Sequence, residues 1–279
     1  MKGMKRVTDE DKSRLAEYLA TLKLGKVAEI LDEELARADE EGRGRGDFLE
    51  RLLAAEIAAR CERRIERRII DSRLLERKLL SDFDFAFQTG IDKAQIMDLA
   101  TLRFVEKKHS LVIAGNSGTG KSHVAKALLL IACQRQYRCR YTTASAMLKE
   151  LMSGLCDNTL DEKLKDYVKA DVLLIDEVGF DRLEQESARH ASLFFKVIDG
   201  RYARAPTIIT TNIDFEQRGD YLGDPVITTA IVDRMVHHSV ILSVIGPSWR
   251  AHESQMINQP RAGVKKPERR RDKELSAKA

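Results

Sequence analysis

The chain has 279 residues, enough for one good-sized core or for a core plus a small helical domain. Its 43% hydrophobic and 33% charged residues contain no apolar run near the ~20 residues of a membrane helix, so the composition points to a soluble, cytoplasmic protein with no membrane partner. The net charge of +4 is uneven: Arg60 to Lys78 holds eight Lys/Arg against four Asp/Glu, and Arg261 to Lys278 holds eight against three, which leaves the rest of the chain acidic. Such concentrated positive charge suits contact with a polyanion such as DNA, although each segment alone also reads as a solvated helix face or a tail.

The first residues lack the apolar core of a signal peptide. Residues 1–80 read as a helical amino-terminal domain. Leu15, Leu19 and Leu22, then Val27, Ile30, Leu31 and Leu35, fall at helical spacing. Gly42, Gly44 and Gly46 break the pattern. A long helix then runs from Asp47, the expected N-cap, with Leu49, Leu53, Ile57, Cys61, Ile65 and Ile69 at four-residue steps. Its other faces carry Arg60, Arg63, Arg64, Arg67 and Arg68. So small a domain has little core of its own and is expected to dock on a neighbour.

Residues 81–108 read as a linker followed by a helix from Asp92 to about Val105. Phe83, Phe85 and Phe87 in the linker should not stay in water; they pack under the following core or help to close its ligand site. Residues 109–259 alternate strand and helix, the pattern of a parallel sheet covered on both faces. The strands are expected at 110–114, 138–142, 172–175, 207–211 and 240–244, and the helices at about 122–136, 144–155, 161–168, 185–202 and 225–237. Residues 260–279 are basic, without apolar periodicity, and are expected to be disordered. Cys61, Cys133, Cys139 and Cys156 form no Cys-x-x-Cys pair and accompany no histidine cluster, so reduced thiols are expected rather than disulfides or zinc.

The core opens on Gly115-Asn116-Ser117-Gly118-Thr119-Gly120-Lys121-Ser122, a complete phosphate-binding loop between a strand and a helix. The glycines let backbone N–H groups face phosphate, and the helix that follows adds the positive end of its dipole. Lys121 is expected to reach the β- and γ-phosphates of ATP, and Ser122 to ligate Mg²⁺. Asp171-Val172-Leu173-Leu174-Ile175-Asp176-Glu177 reads as a buried strand with two carboxylates at its carboxyl end, where open α/β sheets bind ligands. Asp176 would hold Mg²⁺ and Glu177 would polarise the attacking water. The pair favours hydrolysis over a metabolic kinase. Asn212, at the end of the strand over 207–211, falls next to the γ-phosphate if that strand lies beside the Asp176 strand; it would orient the water, or else cap the turn before Asp214. Arg234, at the end of a helix, would enter the site of a neighbouring subunit, or else pair with Asp233.

Together these segments resemble an AAA+ ATPase: an α/β P-loop NTPase with a five-stranded parallel sheet. Val27-Ala28-Glu29, Asp82-Phe83-Asp84-Phe85, Leu173 to Gly179 and Gly246-Pro247-Ser248-Trp249-Arg250 resemble, in order and spacing, the IstB/DnaC-like branch, and within it the IstB transposition helpers. The resemblance covers about Val7 to Asn258. It implies a reduced or absent lid domain, ATP and Mg²⁺ as ligands, and a homo-oligomer in which Arg234 is the trans-acting arginine finger. Arg250 resembles the second-sensor arginine that touches the γ-phosphate in cis. It also implies a helper that assembles with ATP on double-stranded DNA, without sequence preference, and regulates a transposase; the alternative is a replicative helicase loader. Ser117 replaces the Pro common in this loop, and Trp249 stands where Tyr is more usual.

Overall fold

The computed structural model describes residues 9–179, 188–212 and 225–258. The expected helix start at 185 and the tail 260–279 lie outside the described residues. Three helices open the chain: α1 (Asp9–Thr21), α2 (Gly25–Glu40) and α3 (Arg45–Asp71). They close on a small core of Leu19, Val27 and Leu52, with Leu24, Ile30, Leu31 and Phe48 partly buried against it. Three buried side chains at roughly 1.5–3 kcal/mol each fall well short of the ~1–2 kcal/mol per residue that ordering the backbone costs. This unit therefore depends on other support.

One support is Glu56 of α3, which is buried. It accepts the backbone N–H groups of Lys26 (2.8 Å) and Val27 (3.2 Å), the first turn of α2. The N-cap of α2 is Leu24, whose side chain caps nothing, so Glu56 supplies from another helix the acceptor that the local sequence lacks. Arg60 Nε (2.9 Å) and Arg63 Nη2 (3.2 Å) complete the carboxylate. The other support is the far half of α3, which packs on the sheet domain of the same chain. Ile69 joins the main core, and the Ser72 carbonyl accepts the Tyr141 N–H at 2.7 Å. The N-cap of α3 is Gly44 rather than Asp47; Asp47 sits in the first turn, where its charge suits the helix dipole.

The linker contains a short 3₁₀ turn (Leu80–Asp82) and then packs down. Phe83 and Phe85 meet edge to face with centroids 4.8 Å apart, and Phe87 meets Trp249 at 5.0 Å. The helix expected over 92–105 is two: α4 (Lys93–Ala100), capped by Asp92, and α5 (Arg103–Glu106). They part at Leu102, which is left-handed at φ 62° and fully buried.

The remaining elements are β1 (Ser110–Gly115), α6 (Lys121–Gln134), β2 (Cys139–Thr143), α7 (Ala144–Cys156), α8 (Leu160–Val168), β3 (Val172–Val178), α9 (Ala188–Arg201), β4 (Thr207–Thr211), α10 (Pro225–Val236), β5 (Ser239–Val244) and α11 (Trp249–Asn258). The five strands are parallel in the order β2-β3-β4-β1-β5. Leu174 and Ile208 face one apolar cluster, with α6; Leu173, Ile175 and Ile209 face the other, with α7 and α9. This two-sided burial explains the aliphatic run Val172–Ile175 of β3 and the Ile208-Ile209 pair of β4. Arg201 is buried between the layers. It donates to the carbonyls of Tyr167, Val168, Ala170 and Pro206 and to the Thr207 hydroxyl, tying the end of α8 to the start of β4.

Much of the basic charge on residues 60–78 is paired inside the chain. Arg60 and Arg63 meet Glu56, Arg73 meets Glu150, Arg77 meets Glu66 and Lys78 meets Glu76. Among the described residues Arg67 and Arg68 form no ion pair, so the segment offers less net positive potential than its sequence suggests. The four cysteines are free thiols. No described helix is long and apolar enough to cross a membrane.

Candidate active site

At the carboxyl end of β1 the chain turns through Gly115–Gly120 and enters α6 at Lys121. Gly118 (φ 79°) and Gly120 (φ 93°) are left-handed, and a Cβ at Gly120 would stand 2.6 Å from the Phe83 ring. Only glycine fits there, because both backbone angle and space exclude a side chain. Thr119 Oγ1 donates to the Asn116 carbonyl at 2.8 Å and braces the turn. Lys121 is buried, and its Nζ donates to the same carbonyl at 2.7 Å. Burial pulls the Lys121 pKa below its ordinary value; Asp176 opposes this and Arg250 adds to it.

Asp176 sits within β3 rather than beyond its end, and is 2% exposed. Ser122 Oγ donates to its Oδ1 at 2.8 Å, Thr210 Oγ1 donates to the same oxygen, and the Tyr141 hydroxyl reaches Oδ2 at 3.5 Å. Burial, with Asp176 close by, pushes the Tyr141 pKa up, so Tyr141 stays a donor at neutral pH. The register of β3 against β4 slips between Ile175 and Val178. Inside that irregularity Glu177 is left-handed (φ 61°), and its backbone N–H donates to Thr210 Oγ1 at 3.0 Å. A left-handed non-glycine residue costs roughly 1–2 kcal/mol. Here the bulge turns the Glu177 side chain out of the apolar layer and into the open, while its neighbours stay buried.

A cavity of about 520 Å³ opens beside the loop. Its walls include Glu177 and Thr210 from the sheet, Phe83 and Phe87 from the linker, and Trp249 and Arg250 from α11. The Trp249 N–H donates to the Gly118 carbonyl at 2.9 Å, seating α11 on the loop. Gln88 is buried, and its Nε2 ties the Thr119 carbonyl (2.8 Å) to that of Pro247 (3.2 Å). Backbone N–H groups, a buried ammonium and a paired hydroxyl and carboxylate fit a nucleotide triphosphate with a hard divalent cation.

The model of the IstB-like ATP binding proteins matches residues 17–256. The chain belongs to this family. It is 36% identical over 245 residues to the ATP-binding protein of insertion sequence IS5376 from Geobacillus stearothermophilus, covering 88% of this chain and 96% of the relative. It is 35% identical over 237 residues to that of insertion sequence IS21 from Pseudomonas aeruginosa, covering 85% and 88%. Among solved structures it resembles DnaI (TM-score 0.51, 24% identity, 60% of this chain and 91% of that one). It also resembles AMPPCP-bound DnaA from Aquifex aeolicus (TM-score 0.51, 18% identity, 68% and 59%). These likenesses show the P-loop AAA+ fold.

As an IstB-like ATP-binding protein, the chain brings most of its expected site residues together. Gly115 to Ser122, Asp176 and Glu177 converge on one end of the sheet. Arg250, in the first turn of α11, lines the cavity. Asn212 follows β4 by one residue and is exposed; the β4 residue that touches the carboxylate pair is Thr210. Arg234 lies elsewhere. It shares a small pocket with Ser110 and Thr207, the first residues of β1 and β4, at the opposite end of the strands from the loop. Its Nε donates to Asp199 at 2.8 Å, so the partner is Asp199 and not the adjacent Asp233. Sequence reading missed Thr210 and Gln88. The signal for Thr210 was the polar pair Thr210-Thr211 directly after Ile208-Ile209 in a fully buried strand.

Proposed function

We propose that this IstB-like protein hydrolyses ATP in an assembly of its own copies on double-stranded DNA and in that form regulates a transposase. The observation that carries the hydrolytic part is the contact chain Ser122–Asp176–Thr210–Glu177, which sets a cation-holding pair and a second carboxylate at one cavity beside Lys121. The backbone of residues 115–120 and Lys121 would hold the triphosphate. Ser122 and Asp176 would hold Mg²⁺, which offsets charge on the β- and γ-phosphates. Glu177 takes the proton of the attacking water, and Asn212 orients that water from the end of β4. Arg250 touches the γ-phosphate from α11.

Arg234 belongs to the neighbour's site. β1 is six residues long, about 20 Å at ~3.3 Å per residue, and Arg234 sits at its far end. No arginine spans that distance, so any contact of Arg234 with ATP is made with another copy. The transposition role rests on the relatives, which belong to insertion sequences. The DNA role rests on Arg67, Arg68 and the basic residues 261–278. Phosphate contacts of this kind give affinity without sequence readout.

The test is assembly size by sedimentation, with and without ATP and duplex DNA, over a salt series. ATP-dependent growth on DNA is expected, with log affinity falling against log salt by about 0.9 for each phosphate neutralised. A flat salt response removes the DNA role, and an ATP-independent size removes the assembly role.

A further inference from the structure

Arg234 does not hang free at the surface. Three residues of one stripe, spaced by four and three along α9 and its last turn, surround it. The guanidinium lies 4.7 Å from the centroid of the Phe195 ring and 5.8 Å from that of Tyr202. Asp199 accepts from Nε at 2.8 Å, and the Ala230 carbonyl accepts from Nη1 at 3.2 Å. Tyr202 is itself fixed by a hydrogen bond between its hydroxyl and His237 Nδ1. The Arg234 side chain is still 28% exposed. Its stem and one edge are engaged, while Nη2 has no hydrogen-bond partner among the described residues.

We infer that Asp199, with Phe195 and Tyr202, is the positioning residue that fixes the Arg234 guanidinium over this stripe with its Nη2 edge left open, the placement in which it serves the neighbouring subunit. This rests on the reading of Arg234 as a residue acting in trans. A free arginine side chain carries about 2 kcal/mol of rotamer entropy, which must be lost when it meets a phosphate. Stacking on Phe195 and the Nε–Asp199 bond remove most of that freedom before assembly. The carboxylate takes only the Nε side, so the Nη2 edge stays available for a phosphoryl oxygen. Asp199 is 51% exposed. A pair so placed adds little to stability, which separates a positioning role from a merely structural one.

The test uses mixed assemblies of the full chain. Lys121→Ala subunits bind no ATP but offer an intact arginine; Arg234→Ala subunits bind ATP but offer none. Their mixture hydrolyses ATP only at junctions between the two. Adding Asp199→Ala to the arginine donor is expected to lower kcat at these junctions about tenfold with KM for ATP unchanged, and Asp199→Asn, which keeps an acceptor, to recover most of the loss. Adding Asp199→Ala to the ATP-binding subunit instead is expected to change neither. Donors that work equally well without Asp199 overturn the inference and leave the role of Arg234 intact. Equal loss from either side makes Asp199 a structural residue and also overturns it. If Arg234→Ala assemblies hydrolyse ATP normally by themselves, the reading on which the inference stands has failed.

Discussion

Replacing Thr210 by Val tests the geometry of the carboxylate pair most directly. The two side chains differ little in volume, so the core is not emptied; the hydroxyl alone is lost. That hydroxyl donates to Asp176 and accepts from the Glu177 N–H. A hydrogen bond to a charged group is worth about 1.5–3 kcal/mol, and an unsatisfied N–H costs about 1–3. Since the two share one oxygen, a combined loss of about 3 kcal/mol is expected. Unfolding entropy of roughly 2.1 cal/mol/K per residue over this chain converts that to a fall in Tm of about 5 °C. The larger effect should be on turnover. The Glu177 backbone is left-handed and this bond holds its N–H; once it relaxes, the carboxylate moves, and a displacement near 1 Å can cost about a hundredfold in rate. ATP affinity should change little, because the loop and Lys121 are untouched. Thr210→Ser keeps the oxygen and should resemble the native protein. Thermal melts, ATP titration and phosphate release are the assays. A Val variant that melts within about 1 °C of the native protein and turns over within about twofold would falsify the reasoning.

Lys121→Ala should abolish measurable ATP binding in a direct titration, since it removes a buried cation under the loop; retained binding would move the phosphates elsewhere. Glu177→Gln keeps a side chain of the same shape but cannot take a proton. It should bind ATP normally and release phosphate at least about a hundredfold more slowly, and normal release would remove Glu177 from the reaction. Acid should loosen the helical unit through Glu56. Hydrogen bonds from Arg60, and then from the Val27 and Lys26 N–H groups, hold its carboxyl below the ordinary value. The folded pKa lies below the unfolded one, so Glu56 contributes its full stabilisation above about pH 4.5 and loses it as pH falls through the folded value. Hydrogen exchange at the Lys26 and Val27 amides should accelerate in that window, and Glu56→Gln should show raised exchange already at pH 7. Amides equally protected in the variant would show that α2 needs no cap from α3.

The central strands β1, β3 and β4 were readable because their aliphatic residues, buried on both faces, stand between turn signals. The edge strands β2 and β5 followed from the alternation with helices. The loop was readable for a different reason: Gly118, Gly120, Lys121 and Ser122 are constrained by contacts within a few residues of one another. Glu177 was harder. Its place inside β3, in a left-handed bulge, depends on a hydroxyl from β4 that no local pattern announces. The expected cap at Asp47 failed because α3 already starts at Arg45, after Gly44, which puts Asp47 inside the first turn. Glu56 looked like one more charge on a charged helix; its partners are about 30 residues away in sequence. The basic segment looked freer than it is because Glu150, which pairs with Arg73, lies on α7. Long-range polar pairing is the common element in what the sequence hid.

The 27 residues of α3 make a continuous helix about 40 Å long at 1.5 Å per residue. One end holds α2 through Glu56. The other ends at Ser72, bonded to the edge strand β2, and runs on through Glu76, paired with Lys126 of α6, and Leu79, whose carbonyl meets His123 two residues beyond Lys121. The arrangement is mechanically a lever with a short arm at the nucleotide. A tilt of about 10° at that short arm would sweep the far end by about 7 Å over a length of about 40 Å. Small adjustments around the phosphates would therefore arrive at the helical unit magnified, along a rod too stiff to absorb them.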